Sequence, residues 1–417
     1  MVLQILFFVA ILALLGVLVR QAREQYLPVI AFAVLIVCLP LRENLKELSI
    51  FVASVLIVLA FVLNKSRKFT WQPLFYAVVG VYLLNFVGLL PTGDFNLANR
   101  RIDVMIPLVL FPVLFSMVQL SKRNVMLLLR FFVWIVIAVC VYGLLSYVIA
   151  KDEFSLKLIF LESKQFARFF AVDPFTSHPS ALNIVLMMAL PVSLYLRYHD
   201  GKQITLVEML LAIVLPILVA FIVGARIGVA VFPVLLGLGY VFYCKFKPTI
   251  KWGIVATATV GLFVLLYILP YEIRDRFSDQ SRVDFRSIAI SAIQEKPILG
   301  WGTWQQPDLI ACAERLKSLG IDHPYLLNHH HFHNVYLDVM VQFGIIGIIV
   351  LLILILWTFW TAIHQKHFLL LSFITMYVIV FFVDNVLQSH RWIMPFMFWL
   401  AFLIANQKNL VERKTQV

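Results

Sequence analysis

His329, His330, His331, His333 and Asn334 stand directly before an apolar run that opens Val335-Tyr336-Leu337-Asp338. Histidines in tandem suggest metal first. The alternating positions 329, 331 and 333 can ligate zinc from an extended loop, yet no H-E-x-x-H and no separate Cys/His pair completes a site. A solvated loop is the second reading. The third is proton handling, because histidine changes protonation near neutral pH, and at a helix entrance beside phosphate-holding cations it can act as a general base. Upstream, Ser281 to Asp284 reads as S-x-x-D, a helix start, and Val283, Ile288, Ile290 and Ile293 carry an interfacial helix on to Pro297. Arg282 falls in its first turn and Arg286 one turn later on the same face. Two guanidinium groups beside the free N–H groups of a positive helix end suit phosphate, although two solvated arginines on a surface helix would have the same spacing. Gly300-Trp301-Gly302 and Trp304 then return the chain towards the depth at which Trp is commonly anchored in a membrane.

The rest of the chain is built to hold such groups at a membrane surface. Of its 417 residues 62% are hydrophobic and only 13% charged, where a soluble domain has roughly a quarter charged. Apolar runs recur near 2–19, 26–40, 48–63, 71–90, 104–120, 125–150, 179–196, 204–222, 227–244, 252–269, 335–361, 368–384 and 392–406. Each is of the kind that crosses about 30 Å of hydrocarbon as a helix. The expected fold is an all-α polytopic membrane protein of 12 or 13 transmembrane helices, the larger number applying if the first run crosses. No basic residue precedes that run and no small-residue cleavage site follows it, so it reads as a retained helix. Disordered, collagen-like and disulfide-scaffold classes are excluded. Cys38, Cys140, Cys244 and Cys312 are scattered and suggest neither a metal site nor a disulfide framework.

A net charge of +12 invites a nucleic-acid partner until its distribution is considered. Alternate connections, together with the C-terminal tail, hold sixteen bases against only Glu24, Asp200 and Glu412, whereas the connections on the other side are close to neutral. By the positive-inside rule the basic side is cytoplasmic, and no nucleic acid needs to be invoked. This partition organises the chain as N-terminal helices in 1–178, with an external loop at about 151–178, and central helices in 179–269. A large external segment with interfacial helices follows at 270–334, then C-terminal helices at 335–406 and a cytoplasmic tail at 407–417. The cytoplasmic connections are short and contain no GxxxxGK[ST], so a nucleotide-driven function is not expected. The middles of the spans are nearly free of charge, unlike those of a coupled transporter. Arg226, Asp338, Asp384 and Arg391 instead stand at external span ends, which favours a site at the outer interface.

At these residues the chain resembles a family. His333-Asn334 followed by Gly344 and Gly347, within HNVYLDVMVQFGIIG, and preceded by Pro297 and the Gly300 to Gly302 turn, is similar to the signature of the O-antigen ligase and polymerase superfamily of bacterial inner-membrane proteins. Gly224-Ala225-Arg226 at the opening of a span resembles that family's first arginine, and Arg282 its second. The resemblance runs from about residue 178 onward. In length and in its single dominant external segment the chain looks most similar to O-antigen ligase. This implies about twelve transmembrane helices and an inverting transfer of glycan from undecaprenyl pyrophosphate to a sugar of lipid A-core, among membrane lipids and without metal or other cofactor. It also implies that His333 activates the acceptor hydroxyl. Arg226 and Arg282, with Arg286 beside them, would hold the pyrophosphate, and Asn334, Asp338, Asp384 and Arg391 would support the site. His329 to His331 leave a different proton acceptor open. A polymerase joining lipid-linked repeats, a ligase that glycosylates protein, and a transporter of lipid-linked glycan are the alternatives.

Overall fold

In hydrocarbon a backbone amide has no water to bond, so an apolar run satisfies its own N–H and C=O groups by forming a helix. The computed structural model describes residues 2–22, 25–64, 68–89, 102–151, 179–199, 203–223, 225–243, 280–303 and 332–411. Its regular elements are α1 (Val2–Ala22), α2 (Tyr26–Cys38), α3 (Glu43–Leu63), α4 (Leu74–Leu89), α5 (Pro107–Ser116), α6 (Lys122–Lys151), α7 (Pro179–Met187) and α8 (Ala189–Tyr198). They continue with α9 (Leu206–Val223), α10 (Arg226–Tyr243), α11 (Gln280–Glu295), α12 (Val335–His364), α13 (Phe368–Phe381), α14 (His390–Ala405) and the short α15 (Gln407–Leu410). No strand occurs among the described residues. Four stretches, Glu43–Leu63, Lys122–Ser146, Ser180–Tyr198 and Val335–His364, are long and apolar enough to cross a membrane, and eight further apolar helices have 10–17 residues. The expected run at 252–269 lies outside the described residues, as do His329, His330 and His331.

Large apolar side chains on the outward faces, among them Leu12, Phe51, Leu63, Val207, Ile349 and Trp360, are exposed. Such surface suits lipid. The innermost helix is α14, whose residues from Trp392 to Ile404 are buried. Around it Phe115 meets Phe398 with ring centroids 6.0 Å apart, Phe132 meets Trp399 at 4.7 Å, and Phe32 stacks on Phe115 at 4.6 Å. These aromatic contacts tie α2, α5, α6 and α14 into one core and make α14 a rigid post. The loop that precedes it, residues 382–389, is therefore anchored at its downstream end.

Polar contacts collect at two ends of the bundle. At one end the amide of Gln25 bonds the Gln119 carbonyl at 3.1 Å and accepts from Asn124 at 2.8 Å, while Gln119 donates to Thr70 at 2.7 Å. Gln407 donates to Gln72 at 3.2 Å, and Asn409 donates to the Leu120 carbonyl at 2.9 Å. At the other end Arg391 Nε lies 2.9 Å from Glu43 Oε1, and His390 Nε2 lies 3.7 Å from Asp103 Oδ2. Thr303 N–H donates there to the Gly88 carbonyl at 2.8 Å. The first set draws on connections with the basic excess, the second on the neutral ones.

Candidate active site

The site is assembled where α11, the following turn, the start of α12 and the loop after α13 meet. Helix α11 runs from Gln280, one residue before the expected start, and stops at Glu295 ahead of Pro297. Its Ile288, Ala289 and Ala292 pack on Phe332 and Val341, with Trp301 and Leu337 at the edge. The indole N–H of Trp301 donates to the Ala292 carbonyl at 2.9 Å, and Lys296 Nζ sits 3.7 Å from the centre of the Trp301 ring. Trp301 thus fastens the turn to α11, a more specific duty than the interfacial anchoring its type suggests.

The turn docks by exchanging hydrogen bonds with α12. In an unbroken helix the Val341 carbonyl would accept from the N–H of residue 345. At Gly344 (φ 57°, ψ −151°) the helix is interrupted, and Ile345 N–H donates instead to the Pro297 carbonyl at 2.9 Å. The freed carbonyls of Val341 and Gln342 accept from the N–H groups of Trp301 and Gly302, each at 2.8 Å. The Ile345 N–H and the Val341 and Gln342 carbonyls at the break are thereby bonded to the turn. Gly300 (φ 68°) and Gly302 (φ 88°) supply the left-handed backbone this requires, and a Cβ on Gly300 would overlap the Gln342 and Phe343 backbone. The Pro-x-x-Gly-x-Gly and Gly344 signatures are the two halves of one joint.

Just above this joint sits His333. Its φ of 50° is unusual for a residue with a side chain and is held by what surrounds it. The next residue, Asn334, caps α12, its Oδ1 accepting from Leu337 N–H at 3.0 Å while its Nδ2 donates to the Phe382 carbonyl at 3.3 Å. His333 Nδ1 faces Asp384 Oδ1 at 3.7 Å; the imidazole keeps 22% of its surface exposed and the carboxylate 10%. That separation is an ion-pair distance rather than a hydrogen bond. Asp384 Oδ1 also accepts from Asn385 N–H at 2.9 Å. The buried Asp338 accepts from Phe332 N–H at 3.1 Å and from the Asn385 side-chain amide.

The arginines are placed by their helices. Arg226 is the first residue of α10. At the far end of α10, Phe242 and Tyr243 pack on Phe368 at the start of α13, with ring centroids 5.2 and 4.9 Å apart. At 1.5 Å per residue the 18 residues of α10 carry Arg226 back about 25 Å, to the level where α13 ends and Asp384 follows. Arg282 lies in the first turn of α11, the helix docked on Phe332, and Arg286 is exposed one turn later. Arg391, expected to support the site, is paired with Glu43 of α3.

Sequence reasoning passed over four amides. Asn85, Gln342, Asn385 and Gln388 line a small cavity together with Asp338. Within it Gln342 Oε1 and both polar atoms of Gln388 are buried with no hydrogen-bond partner among the described residues. For Asn85 and Gln342 the signal is a polar residue inside an otherwise apolar run, where it is costly and points to function whether or not it carries charge; Asn385 and Gln388 stand between two runs and have no such mark.

Residues 211–352 match the O-Antigen ligase family. That O-antigen ligase segment contains Arg226, Arg282, His333, Asn334, Asp338 and Gly344, and so both halves of the joint; Asp384 and Arg391 lie beyond it. It supports membership of the O-antigen ligase/polymerase superfamily, whose members are glycosyltransferase-like. No curated protein matches the chain.

Proposed function

We propose that the chain is an O-antigen ligase of the bacterial inner membrane. It transfers glycan from undecaprenyl pyrophosphate to a sugar hydroxyl of lipid A-core at the periplasmic face. The observation that carries this reading is His333, within the segment that matches the O-antigen ligase family, facing Asp384 at the end of the bundle and next to the joint between turn and α12. In the proposed step His333 takes the proton of the acceptor hydroxyl as its oxygen attacks the anomeric carbon. The bond from that carbon to the pyrophosphate oxygen breaks, undecaprenyl pyrophosphate leaves, and the anomeric configuration inverts. Arg226 and Arg282, with Arg286 nearby, neutralise the charge that develops on the leaving group, and the planar guanidinium fork suits its oxygens. The leaving group is already activated, so neither nucleotide nor metal is required. A polymerase would share the donor chemistry and differ in acceptor. Purified protein incubated with lipid-linked glycan and either lipid A-core or a second lipid-linked repeat, with products resolved by gel, separates the two; a ladder of repeats without lipid A-core product would overturn the ligase reading.

Sidedness and metal dependence are tested separately. The neutral-side contacts of Glu43, Asp103, Gly88 and Asn334 lie at one end of the bundle, which supports a periplasmic site there. In intact cells with the native cysteines removed, an impermeant maleimide should modify Ser155→Cys and Ser318→Cys but not Lys247→Cys. Labelling at position 247 would reverse the assignment. Transfer should survive a strong chelator, and purified protein should carry less than one equivalent of metal. Chelator-sensitive transfer restored by zinc would move His329, His331 and His333 into a metal site.

A further inference from the structure

Resting on the reading of His333 as the base, we propose that Asn385, gripped by Asp338, is a positioning residue that holds Asp384 against His333. A single buried carboxylate, Asp338, bonds Phe332 N–H and the Asn385 amide. Phe332 is covalently joined to His333 and Asn385 to Asp384, so both members of the facing pair are immediate chain neighbours of groups held by Asp338. The circuit is completed at Asp384 Oδ1, which accepts from Asn385 N–H at 2.9 Å and faces His333 Nδ1 at 3.7 Å. Asn385 is itself braced, because its Oδ1 accepts from Leu387 N–H at 3.2 Å.

Two chain segments, the start of α12 with the residues just before it and the loop after α13, are thereby locked together. The left-handed φ of His333 needs such a constraint, and so does the loop beyond Asp384, whose own N–H still bonds the Val380 carbonyl at 2.9 Å and is the last to continue α13. If the grip is lost, the Asp384 backbone stays in place but its carboxylate loses the Asn385 N–H that aims it, while the proposed donor-binding arginines, on α10 and α11, are untouched. The expected signature is a fall in kcat with an unchanged donor KM. Misplacing a reacting group by about 1 Å can cost on the order of 10²-fold in rate.

The test exchanges the donor and the acceptor. Asp338→Asn leaves two amides facing each other, and Asn385→Asp leaves two carboxylates facing each other. Each single variant of the full-length purified protein should lose at least about tenfold in kcat while donor KM stays within about twofold. The double variant D338N/N385D rebuilds the bond with its polarity reversed and still offers an amide oxygen to Phe332 N–H, so it should recover to within about threefold of the parent. A double variant as poor as the product of the singles would overturn the proposal, as would single variants that raise KM at unchanged kcat, which would make Asn385 a substrate contact. Should the double variant fail to accumulate, Asn385→Ala carries the test: a fall in kcat at constant KM supports the grip, and an unchanged kcat overturns it. His333→Ala is assayed in parallel. Full transfer by His333→Ala sinks the base reading, whereas an inactive His333→Ala beside unaffected Asp338 and Asn385 variants sinks the positioning role alone.

Discussion

Replacing His333 with Ala is expected to lower glycan transfer by about 10²- to 10⁴-fold while lipid-linked donor still binds, because a positioned general base contributes to the proton transfer and not to holding the pyrophosphate. The imidazole is presented on a left-handed backbone, backed by Asp384 and set immediately before the Asn334 cap, so its removal leaves α12 intact. Arg226→Ala and Arg282→Ala should behave differently. On the proposed reading their hydrogen bonds hold pyrophosphate oxygens in the bound donor and strengthen as charge develops on the leaving group, so binding and turnover weaken together. Lysine should rescue only in part, since it restores charge without the planar fork. His330→Ala, which neither family pattern nor helix register singles out, should be mild. Single-turnover rates and donor binding measured on the same detergent-solubilised preparations distinguish these outcomes. If His330→Ala proves as damaging as His333→Ala, or if both arginine variants keep full turnover, the assignment of base and clamp is wrong.

Much of the site is legible in the amino-acid sequence, and the reason is local. Asn334 before an apolar run is a capping signal, and α12 starts at Val335. Gly224-Ala225-Arg226 marks a span opening, and α10 starts at Arg226. Pro297 marks the end of the helix that carries Arg282 and Arg286, and α11 stops two residues earlier at Glu295. Each signal depends on residues within a turn or two of the boundary. The parts that escape depend on contacts between distant positions. Asp338 and Asn385 meet across 47 residues, and Arg391 finds Glu43 from the far side of the chain. Neither pairing has a period or spacing to betray it. Even the break at Gly344 is invisible in Gly-Ile-Ile-Gly read as a transmembrane run, because what favours it is a set of donors on residues 301 and 302 that must find carbonyls.

Gly344→Ala should therefore cost more than any ordinary glycine substitution in a membrane helix. At φ 57° and ψ −151° a residue with a side chain meets a conformational cost on the order of 1–3 kcal/mol before any contact is counted. An added Cβ would in addition strike the Ile298 carbonyl and crowd the Pro297 oxygen, both backbone atoms that cannot rotate away. Relief comes if residue 344 turns helical, and that restores the bond from Ile345 N–H to the Val341 carbonyl while ejecting the turn, with the loss of three hydrogen bonds to Pro297, Trp301 and Gly302. Helix content should survive and transfer should not. The 297–303 turn, released from α12, should become a new site of proteolytic cleavage, and α11, which carries Arg282, should lose its docking on Phe332 and Val341. Gly80→Ala in α4 is the control: nothing lies within 4 Å of its Cβ position, so it should be neutral or stabilise by up to about 1 kcal/mol. Limited proteolysis, thermal unfolding and transfer assays on the two variants decide the matter. A Gly344→Ala protein as resistant and as active as Gly80→Ala would show that the joint between turn and helix does not hold the site together.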